Sequence, residues 1–130
     1  MFIRFAQFER APDVRVAPGI FHALDRLPPH DGSDWRHREI RRVYDGFNAT
    51  LTRPETLSAR ISRHGLRRGV CWFRDTAQTH VTEARYLAWL LTDLGVAIRE
   101  LRSAAPGRLI WADRDQIVVV PEPGATVSLH

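Results

Sequence analysis

The stretch VCWFRDTAQTHVTEARYLAWLLTDLG, residues 70–95, decides the fold. Its first part, Val70 to Arg74, reads as a buried strand. Asp75 can cap the helix that follows, predicted over Thr76 to Leu94. Ala77, Val81, Ala84, Ala88, Leu91 and Leu94 fall at helical spacing and form the face to be buried, with Leu87 and Leu90 widening it. Gly95 then suits the left-handed residue that ends a helix. A strand followed by an amphipathic helix is the seed of a mixed fold.

Downstream, three strands are predicted: Val96–Leu101, Arg108–Ala112 and Gln116–Val120. Pro106-Gly107 and Asp113-Arg-Asp115 are the turns between them. Connections this short make antiparallel neighbours. Pro121 and Pro123 close the sheet, and residues 124–130 read as a frayed tail. Upstream, Phe2 to Phe8 alternates, with Phe2, Arg4, Ala6 and Phe8 on one side of a strand. Pro18 opens a short helix carrying Ile20, Phe21, Leu24 and Leu27, which Pro28-Pro29 stops. Ser33 or Asp34 caps a second helix with Ile40, Val43, Tyr44, Phe47 and Leu51 on its apolar stripe, ending before Pro54. The expected fold is α+β, an antiparallel sheet with helices packed on one face, in the order β-α-α-β-α-β-β-β. It forms one domain over residues 1–123.

The run Val70 to Ala77, His80, Gly95-Val96, Pro106-Gly107-Arg108 and Asp113-Arg-Asp-Gln116 resembles a group of small bacterial proteins common in actinobacteria. Those proteins carry a Trp-Phe-Lys segment, a helix, a Pro-Gly-Tyr turn and an acidic run ending in Gln-Val. The N-terminal Phe-Ile-Arg-Phe and Gly19-Ile-Phe are similar too. Arg74 stands where the group has lysine, and Arg114 interrupts the acidic run. The resemblance implies a shared fold and supplies no chemistry.

The 130 residues suffice for one core without a staple. At 44% hydrophobic and 26% charged, the chain has a globular composition rather than a disordered one. With Cys71 alone no intrachain disulfide is possible, which points to a reducing, cytoplasmic setting. Cys71 itself, beside Trp72 and Phe73, reads as a buried, inert thiol. The N-terminus alternates instead of forming a signal-peptide core, and no run has the apolar length of a membrane span.

All 19 basic residues are arginine. Codon bias of a GC-rich genome explains that simply, while arginine also favours planar, bidentate anion contacts. Ten arginines against three acids give residues 36–74 a net charge of +7, with the flanks mildly acidic. Arg38, Arg41, Arg42, Arg63, Arg67 and Arg68 are the candidates here for contact with phosphates or an acidic partner, and Trp35 or Tyr44 for stacking on a base. No DNA- or RNA-binding motif accompanies them, and the helical arginines can equally form a solvated face with local ion pairs.

Arg74, Asp75, His80 and Glu83 cluster at the strand-to-helix junction. Of these, His80, Glu83 and Arg74 are the weak catalytic candidates, His80 as general base. Against this, His80 borders the apolar face, and no nucleophile motif is present. Asp113, Asp115 and Gln116 beside Trp111 offer paired carboxylates, but turns are ordinarily rich in aspartate. His30-Asp31 and His37-x-Glu39 match no zinc spacing, and neither metal nor cofactor is expected. Tyr86 and Trp89 lie off the main apolar face of the long helix, as interface anchors do. The leading expectation is therefore a non-catalytic binding or regulatory module that contacts a protein partner or a second copy of itself. Nucleic-acid binding through residues 36–68, or a small enzyme around His80, are the alternatives.

Overall fold

The computed structural model describes residues 1–7, 13, 15, 17–52 and 69–130. Strand β1 (Phe2–Ala6) leads to helix α1 (Ile20–Ala23), which tightens into a 3-10 turn over Leu24–Arg26. Helix α2 (Trp35–Thr50), strand β2 (Val70–Arg74) and helix α3 (Gln78–Asp93) follow. Strands β3 (Arg99–Ala105), β4 (Arg108–Ala112), β5 (Gln116–Val120) and β6 (Thr126–Leu129) complete the chain. The strands make one curled sheet in the order β4-β5-β2-β1-β3-β6, and every pairing between them is antiparallel. This is the expected α+β class, with one strand more than expected. Among the described residues, no helix is long and apolar enough to cross a membrane.

The helices cover one face of the sheet. Ile3 and Phe5 of β1 and Phe73 of β2 meet Ile20 and Ala23 of α1, Ile40, Val43 and Phe47 of α2, and Val81, Ala84, Leu87 and Leu91 of α3. The 3.6-residue spacing of those side chains puts them on one stripe of each helix, so burying that stripe is what holds the helices down. The opposite face is also buried. There Trp72, Leu101, Ile117 and Val119 pack with Ala6 and Ala17, because the sheet curls and the chain around Ala17 lies over it.

Helix ends follow local chemistry where partners are local. Asp34 caps α2 by accepting from the Arg36 N–H at 2.9 Å. Gly95 takes a φ of 96°, and the N–H groups of Gly95 and Val96 return to the carbonyls of Thr92 and Leu91. That double closure terminates α3.

Four expectations need correction. Residues 124–130 do not fray: Glu122 and Ala125 close a turn at 2.9 Å, and Thr126–Leu129 then pairs with β3 while Val127 packs against the Trp72–Leu101 cluster. Strand β3 begins at Arg99 and not Val96, because Val96 and Ile98 donate to Leu91 O and Thr92 Oγ1 and stay tied to the end of α3. Asp75 is not the cap of α3; Ala77 holds that position, and Asp75 pairs with the Met1 ammonium at 3.5 Å. Cys71 is exposed, not buried. It shares a sheet face with Phe73, but the rings of Phe47 and His80 stack near Phe73, two residues further along the strand.

Candidate functional site

Helices α2 and α3 run antiparallel, and three polar bridges cross their outer seam. At one end Arg36 reaches Asp93 at 2.7 Å. Next, the Tyr86 hydroxyl donates to Glu39 at 2.8 Å. At the other end Thr50 Oγ1 and His80 Nε2 lie 3.0 Å apart. The helical spacing of 36, 39 and 50 on one helix, and of 86 and 93 on the other, sets these groups beside the buried stripes, while His80 lies further round α3.

Charges on this seam tune one another. The side chain of Arg36, then its backbone N–H, hold the Asp34 carboxyl down to about 2. Arg36 is raised by its bonds to Asp34 and Asp93. Arg42 and Tyr86 both bond Glu39 and lower it, while Glu39 raises each of them in return. His37 is lowered, first by burial and then by His30, whose ring stacks on it at 3.5 Å. Glu39 is thus spoken for by Arg42 and Tyr86. Among the described residues no three His, Cys, Asp or Glu side chains are grouped to hold a metal ion.

The arginine candidates on α2 are engaged locally. Arg38 donates to the Ser33 carbonyl at 2.7 Å, Arg41 pairs with Asp45 at 3.3 Å, and Arg42 with Glu39 at 2.8 Å. Arg63, Arg67 and Arg68 lie outside the described residues.

The two polar clusters read separately from the sequence come together at the Thr50 end. His80 Nδ1 faces Asp115 Oδ1 at 4.0 Å, and its ring stacks with Phe47 and Phe73. Arg74 donates from Nε to the Asp113 carbonyl at 2.9 Å, and Gln116 donates to the Thr52 carbonyl. Asp113 Oδ1 accepts from the N–H groups of Asp115 and Gln116, which fixes the β4–β5 turn. Among the described residues no hydrogen bond or ion pair joins Glu83 to this group, and its Oε2 is buried without a hydrogen-bond partner. Sequence reasoning missed Thr50, whose only signal was its place at the end of a helix.

A hydroxyl, a histidine and a carboxylate in that order resemble an acyl-transfer relay, but the proton count opposes it. Thr50 Oγ1 donates its proton to the Gly46 carbonyl at 2.7 Å. The ring must then donate Nε2–H to Thr50, which leaves no basic nitrogen to activate that hydroxyl. The cluster ties the end of α2, the start of α3 and the β4–β5 turn into one joint.

The aromatic candidates occupy the outside of the same helix pair. Trp89 is 54% exposed and stacks with Tyr86 at a ring separation of 6.3 Å. Trp35 is 49% exposed and, with Ser33, Asp34, Arg36, Arg38 and Asp93, lines an open cleft of about 460 Å³ where the two helices meet. No family model, curated protein or solved structure matches this chain.

Proposed function

We propose that this chain is a small, non-catalytic binding module that meets a protein partner through the outer face of α2 and α3. The observation that carries this reading is the exposure of Trp35 and Trp89 on one helix pair. Two large aromatics left in water on a well-packed layer are the kind of anchor that protein interfaces bury. On α2, Arg41 and Arg42 are paired with Asp45 and Glu39, and Arg38 donates to the Ser33 carbonyl. Among the described residues, a mixed-sign surface with aromatic centres suits a protein better than a polyanion, whose binding depends on uncompensated positive charge. The partner is another protein or a second copy of the chain, met in a reducing compartment such as the cytoplasm.

The test compares the purified chain with a Trp35→Ala/Trp89→Ala variant. Sedimentation reads self-association, and retention of proteins from host extract, identified by mass spectrometry, reads another partner. The expected result is one complex lost in the variant while its melting temperature is unchanged. A complex held equally by the variant would place the contact elsewhere. RNA or DNA binding that persists at near-physiological salt would also contradict the reading.

A further inference from the structure

The face of the sheet away from the helices carries a buried cation that no carboxylate balances among the described residues. Arg4 is 9% exposed. It sits opposite Leu101 on β1, and its Nη2 donates to the Ala17 carbonyl at 2.5 Å. Its other terminal nitrogen, Nη1, is buried and has no hydrogen-bond partner among the described residues. Trp72 on the neighbouring strand is 1% exposed, and its Nε1 is likewise buried without a partner. Because Ile3 pairs with Phe73, Arg4 and Trp72 lie on the same sheet face.

Each of these donors is costly to leave unsatisfied. A buried charge with no counter-charge is costlier still. Burial draws the Arg4 guanidinium down to about 10, only partly offset by nearby Cys71, so the group remains cationic at neutral pH. Gly19 bridges Ala6 there, and a Cβ on it would lie in ordinary contact with Arg4 Nη2 at 3.4 Å, so the chain passes over the guanidinium. Arg4 Nη1 lacks an acceptor and its guanidinium a counter-charge, while the neutral indole N–H of Trp72 on the adjacent strand lacks an acceptor.

We propose that Arg4 and Trp72 together form a buried binding site for a small monovalent anion, of the size of formate or chloride, held beneath the Ala17–Gly19 segment. The anion accepts from Arg4 Nη1 and Trp72 Nε1 and neutralises the guanidinium. This site lies on the other side of the sheet from the helix pair and does not depend on the partner-binding reading.

The experiment follows the indole N–H resonance of Trp72 by NMR, assigned by its loss in Trp72→Phe. Sodium formate, and separately sodium chloride, is titrated in at constant ionic strength against gluconate, which is too large to enter. The wild-type chain should show a saturable shift of that resonance and a melting temperature that rises along the same curve. Arg4→Met should show neither. A resonance that does not move, as when water alone serves the two donors, would overturn the proposal. So would a shift of equal size in Arg4→Met. If Arg4→Met fails to fold, the wild-type titration alone decides, since absence of saturation is sufficient to reject the site.

Discussion

Asp34 does two things at once: it caps α2 and it grips Arg36. With its carboxyl held near 2, against about 3.9 in an unfolded chain, its stabilising contribution is complete above about pH 4. That contribution disappears as the pH falls toward 2. Asp34→Ala should therefore lower the urea midpoint at pH 7 and leave it nearly unchanged at pH 2, as followed by helical circular dichroism. The capping role was readable from the sequence because its acceptor and donor are two residues apart. Asp75 looked like an equally good cap and is not one. Its partner is the N-terminal amine, at the far end of the preceding sequence, and no local pattern reports such a contact. The exposure of Cys71 is hidden for a related reason, since an apolar neighbourhood in sequence does not say which helix lies over which part of a strand.

Within a single element, α3 separates the residues that build the fold from those offered to a partner. Leu87 has no exposed surface, and Leu87→Ala should cost about 2–5 kcal/mol in urea unfolding. Trp89, two residues on and half in water, should tolerate Trp89→Ala within about 0.5 kcal/mol. The helical period made this division legible, since Val81, Ala84, Leu87, Ala88 and Leu91 all lie inside as the spacing requires. What the period could not show is the company kept by its flanking polar residues. His80 was singled out, but its contacts with Thr50 and Asp115 depend on how α2 and the β4–β5 turn are brought to it. Glu83, one turn along α3, falls in with His80 by spacing, yet among the described residues no hydrogen bond or ion pair joins the two.

For the molecule as a whole, the sheet is closed at one edge by a strand that composition hid. Two prolines before a short, weakly apolar tail look like an ending, yet Glu122–Ala125 is a turn and Thr-Val-Ser-Leu alternates as a strand must. Removing residues 124–130 should lower stability by about 1–3 kcal/mol, because Val127 would no longer cover the Trp72–Leu101 cluster. A frayed tail would leave the melting curve in place. The class of fold was accessible from alternating short strands and amphipathic helices, whereas the strand order β4-β5-β2-β1-β3-β6 was not, since β1 joins partners from distant parts of the chain. That arrangement leaves the outer face of α2 and α3 turned to solvent with its two tryptophans, and partner binding there is the central claim. The most direct test places a benzophenone photocrosslinker in turn at position 89 and at Arg114, an exposed turn position on β4–β5. Irradiation of the purified chain reads a second copy, and irradiation in host extract, with mass spectrometry of the adduct, reads another protein. The account predicts one defined adduct from position 89, absent from position 114 and abolished by adding Trp35→Ala. No adduct in either setting, or the same adducts from both positions, would contradict it.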